Sequence, residues 1–457
     1  MVNIKVHRGT SQIGGTITEI YTENSHIFID FGSELTVKPE DSTDGKMIDM
    51  INNAECDAVL FSHYHGDHVG LLEHIPQKDI RGKEIKLGIG KIARQVLVNI
   101  QSTLARDNSR PEEQNAHRKM LNLLQDNNRW LDFVDALTKG NEQSGSFDIG
   151  DFHITTIRVD HSAYDSYMFI IEAEDKCIVH TGDFRVHGRL GEGFFDRLKE
   201  FMSDKKVEVL LIEGTMLGRL DEEPMSEEKL QEEAKKLLMK PENKYAYLIC
   251  SSTNMESLAS FHKAVLFSNS IKEKTGNKDC KRAMYVNHYV KEQMDLFASA
   301  EPDITWGFNK ANPFEQQGKF NEKLGMSQME YMKENGFLML LGKSDSYEKY
   351  IKPFEHENPL LIYSMWNGYV DDDTAPTYDE KWGTLYKRFK RKEELHTSGH
   401  AVKEDLEEMI AIMNPQQAVV PIHTEFKESY RMLKNVGNKV EILKDGQEYM
   451  VGNRKGV

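Results

Sequence analysis

The N-terminal part of the chain alternates between short apolar runs and turn residues. Up to about residue 90, runs that are typical of strands stand at 4–7, 16–21, 26–31 and 58–61. From about 90 to 140 the apolar residues adopt helical spacing, and Pro111 marks the start of a second helix. Strand-like runs return at 152–159, 167–171, 176–180 and 207–212. This order predicts an α/β unit rich in neighbouring strands.

After residue 215 the pattern changes to strands that alternate with helices. Strands are predicted at 245–250, 283–286, 337–341 and 360–363, with helices beginning at Asn254 and Asn287. Such alternation favours a parallel sheet with helices on its faces. The last segment predicts a helix at 403–413, a strand at 418–422, a helix at 426–433, and short strands near Val440 and Tyr449.

Composition narrows the class of protein. The 457 residues are 39% apolar and 29% charged, which is ordinary for a globular protein, and their number favours two or three domains. The longest apolar run, 245–250, is far shorter than the ~18 residues that a membrane helix needs, so no membrane partner is expected. The N-terminus has no apolar leader and the four cysteines form no Cys-x-x-Cys pair, which predicts a cytoplasmic protein.

The charge balance is acidic. There are 74 acidic and 58 basic residues, giving a formal net charge of −16. A polyanion such as nucleic acid needs a positive footprint on its partner. If the substrate is nucleic acid, the protein must carry a locally positive region despite its negative net charge.

The clearest chemical signal is a His-x-His-x-Asp-His string directly after the apolar run 58–61. It comprises His63, His65, Asp67 and His68. Three imidazoles and a carboxylate at a strand end suit a site for two divalent cations, in which the first two histidines can serve one ion and the other two residues the second. The alternatives are a polar loop with coincidental histidines and a single structural metal.

Further ligands are expected at other strand ends. His161 follows the strand 152–159, and Asp183 follows the strand 176–180. His161 is a candidate third ligand for the first ion, and the short carboxylate of Asp183 suits a bridge between two ions. Either residue alone would be an ordinary turn residue.

The order of these residues, preceded by Ile29-Asp30-Phe31-Gly32, resembles the metallo-β-lactamase superfamily. In that superfamily the counterpart of Asp30 supports the metal loop without binding the metal. Three later motifs resemble its β-CASP branch, with the ribonuclease J group as the nearest likeness. They are Glu213 after a strand, His400 in a Ser-Gly-His-Ala setting, and His423 after the strand 418–422.

The resemblance implies an α/β fold, an αββα metallo-β-lactamase sandwich with an inserted β-CASP domain whose parallel sheet is flanked by helices. The insert would span 217–394, between sandwich segments 1–216 and 395–457. Two departures stand out. Gly214 follows Glu213 where the family more often has serine, and Thr424 follows His423 where ribonuclease J usually has glycine.

The resemblance also implies a ligand set for two Zn²⁺ ions, with Mn²⁺ as the alternative metal. One ion would be held by His63, His65 and His161, the other by Asp67, His68 and His423, with Asp183 shared and a hydroxide between the ions. Asp67, His400 and Glu213 would be catalytic, the last two through proton transfer. The ions' charges exceed those of the two ligand carboxylates, which would make this site the positive exception on an acidic protein.

Substrate contacts are predicted at three further places. Ser251 and Ser252 follow a strand, His396 and Ser398 precede His400, and Lys387 and Arg388 open the basic run 387–392. The first pair has a plainer alternative as part of a helix-capping loop, and the basic run has one as a solvated helix face.

These features predict a metal-dependent phosphodiesterase that acts on single-stranded nucleic acid, with RNA favoured, as an endonuclease, a 5′ exonuclease or both. The first alternative is a small-molecule metallo-hydrolase, a thioesterase or lactonase, in which His400 and Glu213 would be dispensable. The second is a nucleic-acid-binding or scaffold subunit without catalysis. The sequence leaves homo-oligomer formation open.

Overall fold

The computed structural model describes residues 1–35, 41–107, 110–140, 143–219, 224–274, 281–313, 327–375 and 377–452. The chain divides into two compact units. Unit 1 comprises Met1–Val186, Leu190–Glu223 and Gly399–Val457, and unit 2 comprises His187–Arg189 and Pro224–Ser398. The domain borders at 217 and 394 stay predictions.

The strands are numbered along the chain. The first eleven are β1 (Asn3–Arg8), β2 (Ile17–Tyr21), β3 (His26–Ile29), β4 (Ala58–Leu60), β5 (Lys86–Gly90), β6 (Trp130–Phe133), β7 (Ser146–Ile149), β8 (Phe152–Val159), β9 (Ser166–Ala173), β10 (Lys176–His180) and β11 (Val209–Glu213). The others are β12 (Tyr245–Cys250), β13 (Ala283–Val286), β14 (Asn312–Pro313), β15 (Phe337–Leu340), β16 (Leu360–Ser364), β17 (Arg391–Glu394), β18 (Ala418–Ile422) and β19 (Glu448–Met450).

The α-helices are numbered in the same way. They are α1 (Asp44–Asn52), α2 (Gly66–Val69), α3 (Lys91–Asp107), α4 (Pro111–Gln125), α5 (Phe194–Phe201), α6 (Glu227–Met239), α7 (Met255–Lys274), α8 (His288–Ala300), α9 (Gln328–Asn335), α10 (Glu348–Ile351), α11 (Glu380–Arg388) and α12 (Lys403–Met413). None of the helices in the described ranges is both long enough and apolar enough to cross a bilayer.

Unit 1 contains two sheets packed face to face. Their strand orders are β19-β1-β2-β3-β4-β5-β6 and β18-β11-β10-β9-β8-β7. Apolar side chains from both sheets form one buried cluster that includes Ile4, Ile20, Phe169 and Val420. Burial of this shared apolar area is the main force that holds the sheets together.

Helices cover the outer faces of these sheets. On the second sheet, Leu198 of α5 and Leu406 of α12 pack with Val179 in a separate buried cluster. On the first sheet, α3 packs against β5. The predicted α/β sandwich of two sheets between helices is therefore confirmed.

Unit 2 is built on one sheet of six parallel strands in the order β14-β13-β15-β12-β16-β17. Its core is rich in aromatic residues, including Tyr247 and Phe337 from the strands and Phe354 from a following turn. Helix α6 precedes the first of these strands in the chain, and α7 to α11 lie between them. This arrangement confirms the predicted parallel sheet flanked by helices.

Two predictions for the C-terminal segment are wrong. The predicted helix at 426–433 is a 3-10 helix at Lys427–Met432, and Tyr430 is its one buried residue. A segment that buries so little apolar area gains little by extending into an α-helix. The strand predicted near Val440 is a single bridge between Val440 and Val419.

Candidate metal centre

The His-x-His-x-Asp-His string follows β4, which lies inside the first sheet of unit 1 between β3 and β5. The loop leads into the short helix α2, whose first turn carries Asp67 and His68. His63 and His68 are fully buried, and Asp67 nearly so. Only a short loop separates β4 from α2, so the four polar side chains of the motif lie close together at the end of the strand.

Backbone contacts hold this loop from the side of β3. Phe31 donates from its N–H to the carbonyl oxygen of His68 over 2.8 Å. Gly32 lies so close that a Cβ there would be 1.6 Å from the carbonyl oxygen of Asp67. Only glycine fits at this position, and the Ile-Asp-Phe-Gly motif therefore supplies a backbone platform for α2.

One group of donors combines the loop with the end of β8. The ligand atoms of His63, His65 and His161 all lie within 4.8 Å of one another. Nε2 of His161 is 3.3 Å from Nδ1 of His65. The other ring nitrogen of His161 contacts the carbonyl oxygen of Gly399, which can only accept, so that nitrogen carries the proton and Nε2 carries a lone pair.

A second group combines the loop with the ends of β10 and β18. Nε2 of His423 is 3.2 Å from Oδ2 of Asp67, and Nε2 of His68 is 3.2 Å from Oδ2 of Asp183. Oδ1 of Asp183 is 3.7 Å from Nδ1 of His423. The structure thus brings all seven predicted ligands into two adjoining groups. The sharing of Asp183 between two ions stays a prediction.

The donor set fits metal ions. Among the described residues, Nε2 of His63 is buried and has no hydrogen-bond partner, and Nε2 of His68, although 3.2 Å from Oδ2 of Asp183, makes no well-aligned hydrogen bond to it. Leaving such atoms unsatisfied in a protein interior is costly, and a coordinated cation would satisfy both. Imidazole nitrogens and carboxylate oxygens are the donors that Zn²⁺ prefers among those present here.

The protonation states fit the same interpretation. Burial and the neighbouring imidazoles hold the pKa of His63 and of His161 well below the ordinary value, and burial lowers the pKa of His65 to about 4. Burial alone would raise the pKa of Asp67 and of Asp183, but the surrounding histidines outweigh it and lower both. Neutral imidazoles and ionised carboxylates are the forms that bind metals.

His68 behaves differently because it faces three carboxylates. Burial alone would lower its pKa, but Asp183, Asp30 and Asp67 outweigh burial and raise the pKa well above the ordinary value. The site therefore attracts positive charge at this position. A divalent cation facing the same carboxylates would take the place of that proton.

Asp30 and Ser62 connect two of the histidines beneath the loop. Oδ2 of Asp30 accepts hydrogen bonds from Nδ1 of His68 over 2.7 Å and from the hydroxyl of Ser62 over 2.9 Å. The Ser62 hydroxyl is in turn 3.0 Å from Nδ1 of His63. One buried carboxylate thus orients one ligand directly and another through a hydroxyl. Sequence reasoning missed Ser62, although it directly precedes His63 and the motif.

Glu213 orients His400. The carboxylate of Glu213 accepts from Nδ1 of His400 over 3.2 Å and from the backbone N–H groups of Phe184, Thr215 and Ala401. Three of these donors share Oε1 and one contacts Oε2, and a Glu213 oxygen also lies near the other candidate ligand atoms. Glu213 is therefore placed to orient His400, and its catalytic role stays a prediction.

His400 can hold a proton near the cluster. Its side chain is 21% exposed, and Nδ1 lies 3.7 Å from Oδ2 of Asp183. Burial alone would lower its pKa, but Glu213 and Asp183 outweigh burial and raise the pKa above the ordinary value. Such a group is suited to general acid chemistry at neutral pH.

The predicted substrate contacts belong to unit 2. Ser251 and Ser252 follow β12, where the Ser251 hydroxyl lies 3.1 Å from that of Thr253 and Asn254 caps α7 through the N–H of Ser257. The capping alternative for this loop is therefore realised. His396 is exposed, and the carbonyl oxygen of Ser398 contacts His187. A substrate role for these residues stays a prediction.

The basic run does not form one helix face. Helix α11 ends at Arg388, and β17 begins at Arg391. Lys387 pairs with Asp373 over 3.0 Å, and Arg388 pairs with Glu348 and Glu355. Acidic partners therefore neutralise the two basic residues predicted to contact the substrate, whose role stays a prediction.

Residues 388–442 match the family described as the Zn-dependent metallo-hydrolase RNA specificity domain, RMMBL. This segment includes His400 and His423, which lie beside the donors from the N-terminal motif. The match and the buried cluster support a zinc-dependent metallo-hydrolase. The match agrees with the resemblance to the metallo-β-lactamase superfamily over these residues.

The fold of the chain has a solved counterpart. A crystal structure of a protein of unknown function from Enterococcus faecalis V583 matches with a TM-score of 0.65 and 21% sequence identity. The match covers 98% of this chain and 99% of the other. No match was found among curated proteins. At this identity the likeness shows a shared fold.

Proposed function

We propose that the protein hydrolyses phosphodiester bonds in single-stranded RNA, as an endonuclease, a 5′ exonuclease or both. The observation that carries this proposal is the position of His400 and His423. Both lie in the segment that matches an RNA specificity domain, and both contact carboxylates of the candidate metal centre. The same two histidines therefore belong both to the segment that indicates an RNA substrate and to the surroundings of the candidate metal centre.

The residues present would hold two zinc ions, with manganese as the alternative. His63, His65 and His161 would bind one ion, and Asp67, His68 and His423 the other, with Asp183 shared. Bound zinc supplies Lewis acidity and lowers the pKa of a water from ~15.7 to ~7. We also propose a cytoplasmic location, which the buried, unpaired cysteines Cys56, Cys177 and Cys250 support. Cys280 lies outside the described residues.

The protein side chains have separate tasks in this proposal. Asp67 is held ionised and would orient the attacking water as well as bind metal. Glu213 and Asp183 raise the pKa of His400, which favours its protonated form, and its Nδ1 faces Glu213. Its Nε2 is therefore the atom that would give a proton to the leaving 3′ oxygen. Glu213 keeps the imidazole in this orientation.

A cleavage assay tests the proposal. Zinc-loaded protein is mixed with RNA and single-stranded DNA labelled at either end, carrying a 5′ phosphate or a 5′ hydroxyl. We expect RNA cleavage that falls about 10²- to 10⁴-fold in His400→Ala, because a general acid contributes this much. His153→Ala is the matched control, since that histidine is exposed and pairs with Asp148 alone among the contacts of the described chain.

The proposal fails if metal-loaded protein leaves both nucleic acids uncut and His400→Ala behaves like the wild type. Turnover of a thioester or a lactone that survives His400→Ala would instead favour the small-molecule hydrolase. The end-labelled products show directly whether cleavage is internal or begins at the 5′ end.

A further inference from the structure

The two departures from the family pattern contact each other in unit 1. Thr424 is fully buried, and its hydroxyl donates to the carbonyl oxygen of Gly214 over 2.8 Å. A Cβ on Gly214 would lie 2.8 Å from Cε2 of Tyr430 and 3.1 Å from Oγ1 of Thr424. Glycine at 214 and threonine at 424 are therefore matched to each other. Together they join the turn after β11 to the turn after β18.

These turns are neighbours because β11 and β18 pair in parallel, with Glu213 opposite Ile422. The carboxyl ends of both strands therefore open on the same side of the sheet. Glu213 and His423, which face the candidate metal centre, lie at these two ends. Any contact that sets the distance between the turns also sets the place of His423.

A second hydroxyl holds His423 itself. Oγ1 of Thr215 lies 2.9 Å from Nδ1 of His423 and 3.3 Å from its carbonyl oxygen. The carbonyl can only accept, so the Thr215 hydroxyl donates to it and accepts from Nδ1–H. With Nδ1–H held by Thr215, the Nε2 lone pair of His423 would be free to bind an ion together with Oδ2 of Asp67, which lies 3.2 Å away.

The backbone of His423 needs such support. Its φ of 49° lies in the left-handed region, which residues with side chains seldom adopt. Residues held there depend on the surrounding structure. Here the backbone N–H of His423 donates to the carbonyl oxygen of Gly9 over 2.8 Å, and Thr215 and Thr424 supply the contacts on the other side.

We infer that Thr215 and Thr424 are positioning residues that fix the ring and backbone of His423 as a ligand of the second metal ion. The inference rests on the proposed two-metal function. His63, His65 and His161 lie on other turns. Removal of either hydroxyl should therefore weaken the binding of one ion and leave the binding of the other unchanged. A residue that only stabilised the fold would affect both ions alike.

The test is a zinc titration of the metal-depleted full-length chain against a chromophoric chelator, with zinc content measured by elemental analysis. We expect Thr215→Ala and Thr424→Ala each to lower the affinity for one of the two zinc ions by roughly 10- to 100-fold. This is the usual effect of removing a hydrogen-bond partner of a metal ligand. Thr215→Ser and Thr424→Ser keep the hydroxyl and should bind like the wild type.

Thr18→Ala is the matched control. Thr18 is fully buried in the same unit, and its hydroxyl has no hydrogen-bond partner among the described residues. The control removes the same atoms without removing a hydrogen bond, so it should leave zinc binding unchanged. Thermal unfolding of each metal-free variant shows that it is folded, and Thr424→Ala provides a second removal if Thr215→Ala fails to fold.

The inference is overturned if both alanine variants hold two zinc ions as tightly as the wild type. It is equally overturned if both ions weaken together, or if Thr215→Ser loses as much affinity as Thr215→Ala. Failure of the proposed function has a different signature. A wild-type protein that binds two zinc ions but cuts no RNA would refute the nuclease and leave the positioning of His423 intact.

Discussion

Replacement of Asp30 by asparagine tests how the metal centre is supported. Oδ1 of Asp30 accepts from the Ser62 N–H over 2.7 Å, and Oδ2 accepts from the Ser62 hydroxyl and from Nδ1 of His68. Asparagine has the same shape and tolerates the positive φ of 61° at this position. Its amide offers one accepting oxygen in place of two. At least one of the three donors must then face an NH₂ group.

The size of the effect follows from these contacts. A hydrogen bond to a charged group contributes about 1.5–3 kcal/mol, so a substantial part of the orientation of His68 is lost. Loss of a partner to a metal ligand typically costs about 10- to 100-fold in affinity, or roughly 1.4–2.7 kcal/mol. Because His63 depends on Asp30 through Ser62, Asp30→Asn should weaken both ions.

Zinc titration with elemental analysis measures this effect. The variant Ser62→Ala separates the direct effect of Asp30 on His68 from its indirect effect on His63. The serine variant removes the partner of His63 but leaves the 2.7 Å contact between Asp30 and His68. We expect Asp30→Asn to lose affinity for two ions and Ser62→Ala chiefly for one. If Asp30→Asn binds zinc as tightly as the wild type, the reasoning from hydrogen-bond geometry is wrong.

Three further predictions concern the loop, acid stability and the metals. Gly32→Ala places a Cβ 1.6 Å from the backbone of Asp67 and should abolish zinc binding. The control Gly66→Ala, whose Cβ would have nothing within 4 Å, should bind zinc like the wild type. Equal zinc binding by the two variants would contradict this prediction. Burial alone would raise the pKa of Glu19, but hydrogen bonds from two histidines outweigh it and lower the pKa to about 2 from 4.5. Its contribution, roughly 3 kcal/mol, is present above pH 4.5 and lost as the pH falls toward 2. Glu19→Gln should therefore destabilise the protein at pH 7 and reduce the fall in urea-melt stability at acid pH; an unchanged fall would speak against it. Chelation should abolish hydrolysis and lower the melting temperature until zinc or manganese is restored, and a chelated enzyme with full activity would rule the metal out.

The ligands could be predicted because each follows a recognisable strand. The apolar runs before His63, His161, Asp183 and His423 predicted β4, β8, β10 and β18, and all four strands are present. The ends of strands in two packed sheets can bring residues far apart in sequence to one place. A short local motif and two strand ends therefore indicated the candidate site, and the family resemblance added His423.

The supporting residues could not be predicted in this way. Ser62, Thr215 and Thr424 act through single hydroxyl contacts across turns, and no periodicity marks such contacts. The strand β17 was missed for a related reason. Its residues, Arg391–Glu394, are all charged and pair with one neighbour at the edge of the sheet, so they show neither an apolar run nor an alternation.

The structure changes the electrostatic argument for a nucleic-acid substrate. The positive charge of two divalent ions would exceed the negative charge of the two ligand carboxylates. However, the carboxylates of Asp30 and Glu213 are also fully buried beside the centre. With Asp67 and Asp183, four carboxylates balance the charge of two divalent ions. Lys387 and Arg388 are likewise paired with acids in unit 2. On a chain of net charge −16, these residues would then add no net positive charge, so the proposed recognition of a phosphodiester would rest on short-range contacts.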